Sequence, residues 1–266
     1  MSPEEKSRLA IDKKLFESGW AVQDLKDLNL LVSLGVAVRE FPTSTGPVDY
    51  ALFVEGTPVG VIEAKKSDEG GNITTVEGQS SRYATSKFKW VKGEYRIRFV
   101  YEATDKLTRF TDYDDVKCRS RTVFSFHRPE TLSVLLKQAD TVRNNMKHFP
   151  AFDPTGFRKC QVVAIENLDK SFADNRPKAL VQMATGAGKT FTAITAAYRL
   201  LKYGKMNRIL FLVDTKGLGE QAEREFLAYR PTDDNRSFSQ IYGVNRLKSS
   251  YIPDGVQICI STIQRM

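Results

Sequence analysis

Runs of helical and alternating apolar spacing follow one another in the first half of the chain. Ser2-Pro3-Glu4-Glu5 joins a capping hydroxyl to a proline and two acids, which predicts a helix start. Leu9, Ile11, Leu15 and Phe16 supply apolar positions, and Gly19 stops the helix. Val48 to Val54 reads as a strand, Glu55-Gly56 as a turn and Val59 to Ala64 as the returning strand. Gly70-Gly71-Asn72 predicts a loop, and Thr75 to about Lys87 a helix. A β-rich piece follows in which Tyr95, Ile97, Phe99 and Tyr101 alternate against Arg96 and Arg98. His127-Arg128-Pro129-Glu130 opens a helical connector that runs to Phe149-Pro150 and Asp153-Pro154, a domain boundary.

Beyond that boundary the pattern becomes strand–helix–strand. Ala179 to Gln182 is a short apolar strand, Thr185 to Thr190 a glycine-rich turn. Phe191, Ile194, Tyr198 and Leu201 then recur at helical spacing up to Gly204. Ile209 to Val213 is apolar throughout, as expected of a strand buried on both faces of a parallel sheet, and Val256 to Ile260 is another candidate. The pattern predicts two separately folded units, residues 1–150 and 151–266, joined by a short Pro-punctuated hinge. There is no internal repeat.

With 266 residues, 41% of them apolar, the chain is long enough for more than one core. No apolar run approaches the ~20 residues that span a bilayer, and the polar, acidic N-terminus is unlike a signal peptide. Cys118, Cys160 and Cys259 have neither zinc nor disulfide spacing, which points to a reducing cytoplasm. The net charge is +8, and residues 82–128 hold twelve Lys and Arg against six Asp and Glu. Such an excess favours a polyanionic partner through counterion release; the alternative is a solvated surface with no partner.

Thr185-Gly186-Ala187-Gly188-Lys189-Thr190 carries the strongest chemical signal. Its glycines let backbone N–H groups close around a phosphate, and the helix that follows points its positive end at the same place. Lys189 adds charge toward β- and γ-phosphates, and the Thr190 hydroxyl is placed to ligate Mg²⁺, so the motif predicts ATP binding. Met183 stands where the full pattern has its first Gly or Ala, a position that sets the turn and not the chemistry. Upstream, Phe157-Arg158-Lys159-Cys160-Gln161 precedes a helical run. The Gln161 amide matches adenine N6 and N7, which would favour ATP over GTP; an ordinary surface glutamine is the alternative.

The second signal is a pair of carboxylates beside a lysine. Asp49 sits on the first strand of the hairpin, and Glu63 and Lys65 on the second share the parity of Val59 and Val61. With the carbonyl of Ala64, the two acids make an oxygen set suited to Mg²⁺, and Lys65 is placed to orient the attacking water. Acids interrupting an apolar strand carry a cost that wants a reason. Gln79 and Tyr83 fall four apart on the helix expected next, on one face beside this site.

Asp49, Glu63-Ala64-Lys65 and Gln79-Ser80-Ser81-Arg82-Tyr83 together resemble the PD-(D/E)xK nuclease superfamily in its RecB-like form. Followed by Gln161 and the Thr185–Thr190 loop, the order is similar to that in the R (HsdR) subunits of type I restriction–modification enzymes, of the EcoEI-like branch. Gly60-Val61-Ile62-Glu63-Ala64-Lys65-Lys66, Phe124-Ser125-Phe126-His127-Arg128-Pro129 and Gln182-Met183-Ala184-Thr185-Gly186 carry the likeness further. The resemblance implies a mixed-sheet restriction-endonuclease-like α/β domain followed by part of a RecA-like parallel α/β P-loop domain. It implies Mg²⁺-dependent cleavage of double-stranded DNA, with Asp49 and Glu63 as ligands, Lys65 orienting water, and Gln79 and Tyr83 holding substrate. ATP-driven translocation by a superfamily 2 motor and recognition by M and S subunits are implied for the complete enzyme.

Asp214-Thr215-Lys216-Gly217-Leu218-Gly219 and Ser261-Thr262-Ile263-Gln264-Arg265 occupy the places of DNA-contacting motor motifs, although Lys216 and Gly217 are atypical there. Pro47 comes two residues before Asp49, where the superfamily pattern has its proline directly before the acid. No acidic DExH motif follows the loop, so the chain is expected to be a truncated product that binds ATP but turns it over weakly. Two other readings stay open: a nuclease–helicase of another repair or phage-defence pathway, and a motor fragment whose N-terminal domain only docks partners.

Overall fold

A first helix, α1 (Pro3–Glu17), ends at Gly19 and lays Ile11 and Leu15 against a sheet; both are fully buried. Leu9 and Phe16, expected to join them, are 54% and 78% exposed, so the helix buries a narrow stripe. In this computed structural model the described residues are 3–44, 46–65, 88, 89, 91, 95–249 and 251–265. The expected loop at Gly70–Asn72 and helix from Thr75 lie outside them.

Seven strands follow: β1 (Ala21–Gln23), β2 (Gly35–Thr43), β3 (Gly46–Val54), β4 (Thr57–Ala64), β5 (Phe99–Ala103), β6 (Thr108–Asp112) and β7 (Arg121–Val123). They form one mixed sheet in the order β1-β2-β3-β4-β5-β6-β7. The pairs β1–β2 and β4–β5 are parallel and the rest antiparallel. Glu55 and Gly56 both take positive φ (51° and 74°), the geometry of a tight hairpin between β3 and β4. The next helix, α2 (Pro129–Lys137), starts on a proline at its first turn. One face of the sheet packs Tyr50, Leu52, Ile62 and Tyr101 under α1 and α2 residues such as Leu15 and Leu132. The other face gathers Val38, Phe53, Val61, Phe88 and Val100.

This double burial overturns the expected alternation in the Tyr95–Tyr101 stretch. Arg98 is 6% exposed, and its guanidinium donates twice to Asp112, 5% exposed, at 2.8 Å each. A strand covered on both faces leaves an arginine no water, so it takes a carboxylate.

Packing divides the chain into Met1–Thr141 and Val142–Met266, ahead of the expected boundary at 149–154. The reason is Arg199: its Nη2 donates to the Pro150 carbonyl at 2.7 Å, and its guanidinium lies 5.5 Å from the rings of both Phe149 and Phe152. The Pro-punctuated stretch is thus part of the second unit.

That unit holds α3 (Val142–Asn145), α4 (Lys159–Ala173), α5 (Lys189–Lys202), β8 (Ile209–Val213), α6 (Lys216–Ala228), α7 (Phe238–Ile241), β9 (Gly243–Arg246) and β10 (Val256–Thr262). Its parallel sheet runs β8-β10-β9. Ile194, Tyr198, Phe226, Phe238, Ile258 and Ile260 are among its core. Two expectations fail here. Residues 179–182 form no strand: no ladder joins them to a described strand, and Leu180 is 94% exposed. Nor is β8 buried on both faces, since Leu210 and Leu212 are 43% and 48% exposed while Ile209 and Phe211 pack inward. Among the described residues no helix is long and apolar enough to cross a membrane.

Candidate active site and nucleotide loop

The β2–β3 ladder lapses at one point, where Glu40 would face Asp49 and instead takes φ 49°. There the Asp49 side chain reaches the neighbouring strand, and its Oδ2 accepts the Ala64 N–H at 2.9 Å. Its Oδ1 accepts from Arg8 of α1 at 3.2 Å, and Arg8 also pairs with Glu40 at 2.5 Å. On β4, the Lys65 ammonium lies 3.8 Å from Glu63 Oε2, with the two side chains 18% and 15% exposed. The Lys65 N–H donates to the Ala103 carbonyl at 2.8 Å, which extends the β4–β5 register past the strand end.

Asp49, Glu63, Ala64 and Lys65 are therefore neighbours in space, at the open end of the hairpin. The expected shared face needs one correction: Val61 packs on the second face, but Val59 lies on the first. A register shift opposite Leu52 and Phe53 turns the strand between them. Glu63 keeps the parity of Val61. Gln79 and Tyr83 lie outside the described residues.

The register carries a further acid that reading the motif alone missed. Glu63 on β4 is paired with Glu102 on β5, and Gly60 three residues earlier with Phe99. Gly60 permits the approach, because a Cβ there would stand 2.5 Å from the Phe99 carbonyl oxygen. Glu102 is 5% exposed, and burial pushes its carboxyl above the usual range against the opposing pull of Lys65 and Arg109. A lone glutamate inside the apolar run Phe99–Ala103 was the available signal.

The donor set around Asp49 and Glu63 is hard oxygen, which suits Mg²⁺. Both acids already draw a cation, Arg8 in one case and Lys65 in the other, so the pair fits a metal ion. Among the described residues no three His, Cys, Asp or Glu side chains stand ready to hold a metal together. The basic tract is less available than its composition suggests. Arg96 pairs with Asp114, Arg98 with Asp112, and Arg121 with Asp115.

In the second unit, Gly186 and Gly188 take φ of 76° and 83° as the chain wraps into α5, which begins at Lys189. Lys189 Nζ donates to the Ala184 carbonyl at 3.3 Å, and Thr190 follows on the first turn. The loop is braced from α4. Gln161, 6% exposed, accepts the Arg158 N–H at 2.9 Å and donates to the Ala187 carbonyl at 3.1 Å. Arg158 Nη1 donates to the Gly186 carbonyl at 2.6 Å. A side chain at Gly188 would meet Gln161 Nε2 at 2.3 Å, so the glycine serves the brace as well as the turn. Both ends of the Gln161 amide are thus engaged within the chain, leaving one N–H and one lone pair for a base. Thr185 and Ala187 complete the turn.

Residues 155–266 match the family described as Type III restriction enzyme, res subunit, and residues 33–114 match the Type I restriction enzyme EcoKI endonuclease subunit second domain. The EcoKI endonuclease subunit of Escherichia coli (strain K12) is 29% identical over 317 residues, covering 99% of this chain and 27% of that protein. Over nearly its whole length the chain is similar to type I restriction enzyme endonuclease subunits. The SauCOLORF180P endonuclease subunit of Staphylococcus aureus (strain COL) is 23% identical, covering 82% of this chain and 24% of that relative. A solved fragment of an HsdR subunit from Vibrio vulnificus YJ016 aligns at 20% identity and a TM-score of 0.36, over 100% of this chain and 48% of that one. The chain spans about a quarter of the length of the curated relatives it matches. The stretch 33–114 holds β2 to β6 with Asp49, Glu63, Lys65 and Glu102, and 155–266 holds the loop with its brace.

Proposed function

We propose that residues 1–141 hydrolyse phosphodiester bonds of double-stranded DNA with Mg²⁺, and that residues 142–266 bind ATP. Both would act as parts of an R subunit that takes its sequence recognition from M and S subunits. The observation that carries the nuclease reading is the Asp49 Oδ2 bond to Ala64 N–H, which sets one acid beside the strand end bearing Glu63 and Lys65. Asp49, Glu63 and the Ala64 carbonyl would hold the ion. When bound, Mg²⁺ supplies charge stabilisation at the scissile phosphate and acidifies a water.

The remaining work falls to the chain. Lys65 lies 3.8 Å from Glu63 and is largely shielded from solvent, which suits it to orient the attacking water through an ammonium N–H. Asp49 is held by Arg8 and Ala64, so it enters the reaction already positioned. Gln79 and Tyr83 would hold the strand being cut. In the motor half, Gly186 and Gly188 would present backbone N–H groups to the phosphates, with Ala187 joining them by giving up its bond to the Ala184 carbonyl, and Lys189 and Thr190 would serve the γ-phosphate and its Mg²⁺. Arg158 and Gln161 keep the loop in shape, and Gln161 retains one donor and one acceptor for adenine. In the complete subunit, ATP-driven translocation would bring DNA to the nuclease.

The test is nicking of supercoiled plasmid with and without Mg²⁺. Asp49→Ala and Glu63→Ala should each abolish cleavage while circular dichroism and ATP binding stay as in the parent. Metal-dependent cleavage that survives Asp49→Ala refutes the assignment.

A further inference from the structure

The end of the sheet that carries Lys65 continues past it. Ala64, Ala103, Thr108 and Val123 are paired in turn across β4, β5, β6 and β7. One residue further out on each strand stand Lys65, Thr104, Leu107 and Phe124. Three strand spacings of about 4.8 Å put Phe124 about 14 Å from Lys65 along that row. With a nucleotide every 3.4 Å or so of helix axis, that is about four nucleotides of one strand.

Phe124 is 102% exposed, so its ring packs against neither core, and Leu107 in the same row is 39% exposed. Phe110 and Val123 pack on the first face of the sheet, which by alternation leaves Leu107 on the face of Glu63. Apolar side chains exposed singly are common and need no explanation. Here the ring shares its row with a leucine and with the lysine of the cleavage site. Lys106, next to Leu107, is exposed and has no ion-pair partner among the described residues, while Asp105 of the same turn faces the charge of Lys14. An aromatic ring beside a cation suits a nucleic-acid strand, the ring for a base and the ammonium for a phosphate. Bases in a paired duplex cover one another's faces, so such a ring is open to a base only where the strand is unpaired.

We propose that Phe124, with Leu107 and Lys106 beside it, stacks on an unpaired base of the DNA strand held at Lys65. This rests on the nuclease reading above, and the experiment separates the two. Binding is measured on the full chain without divalent metal, so that no strand is cut. The probes are a fully paired duplex and the same duplex ending in an unpaired tail that carries 2-aminopurine, whose fluorescence is quenched by stacking. The proteins are the parent, Phe124→Ala and Phe124→Trp. Because the ring is fully exposed, neither substitution should move the thermal midpoint.

The expected result is that Phe124→Ala weakens binding of the tailed duplex by about tenfold, within the range for loss of one stacked base. It should leave the paired duplex bound as in the parent and remove the quenching, and Phe124→Trp should restore both. Parent-like affinity for the tailed duplex in Phe124→Ala, or an equal loss on both probes, overturns the role of Phe124. Nicking that is lost in Asp49→Ala then still upholds the nuclease reading. Quenching that depends on Phe124 in a chain that nicks no plasmid supports the base contact and overturns the nuclease reading instead.

Discussion

Replacing Arg98 by methionine should cost the first unit far more than an exposed arginine would. The side chain donates twice to Asp112 and once to the Leu135 carbonyl, all at 2.8 Å, and lies 4.9 Å over the Phe99 ring. Methionine fills similar volume but leaves the Asp112 carboxylate buried with the Asp114 N–H, at 3.0 Å, as a remaining donor. Breaking one side of a buried pair costs about 3–5 kcal/mol. Against a typical domain stability of about 5–15 kcal/mol, that is about a fifth or more of the total. Arg98→Met with Asp112→Leu removes both charges and should recover most of the loss, ending within about 1–2 kcal/mol of the parent. Urea unfolding followed by tryptophan fluorescence reads this unit alone, because Trp20 and Trp90, the chain's two tryptophans, both fall within residues 1–141. A single-variant loss under about 1 kcal/mol, or a double variant as unstable as the sum of its parts, refutes the reasoning.

Gln161→Ala removes two hydrogen bonds that brace the loop, so Kd for ATP and for GTP should both rise about tenfold, equivalent to 1.4 kcal/mol. A loss confined to ATP in equilibrium binding would show that the amide serves the base and not the loop. His127, whose Nδ1 lies 2.7 Å from the Tyr101 hydroxyl, is lowered from an ordinary value near 6.5 to about 4 by burial and by Arg121. The unfolded chain therefore takes up the proton first, so stability is full above pH 6.5 and falls as pH drops toward 4. The change from pH 7 to pH 5 should be about 2 kcal/mol. Urea midpoints of the parent and His127→Asn at both pH values check it, and an equal pH dependence in the two refutes it.

Local chemistry was legible in the sequence, and pairing between distant segments was not. The start of α1, the Glu55-Gly56 turn and the helix after Gly188 each depend on a few adjacent residues, and each formed where expected. Asp49, Glu63 and Lys65 were legible because one hairpin brings them together. Glu102 was not, since its partner is set by a parallel ladder across residues 65–98. Arg98 was misplaced because alternation presumes one wet face, and β5 lies in a sheet covered on both. The same gap explains residues 179–182 and β8. An apolar run declares what it would bury, but whether a neighbour covers it is decided elsewhere in the chain. The early division at Thr141 rests on Arg199 holding Pro150, a contact forty-nine residues apart in sequence.

The order of strands has a bearing on how the polypeptide is made. The seven-stranded sheet lists its strands in the order the ribosome delivers them, so each new strand meets an edge that already exists. Mostly nearest-neighbour pairing keeps contacts local and favours quick folding during synthesis. The three-stranded sheet behaves oppositely. β10, the last of its strands to be translated, lies between β8 and β9, so neither ladder can close until Val256–Thr262 emerge. A nascent chain should therefore carry a finished first sheet while its second is still open.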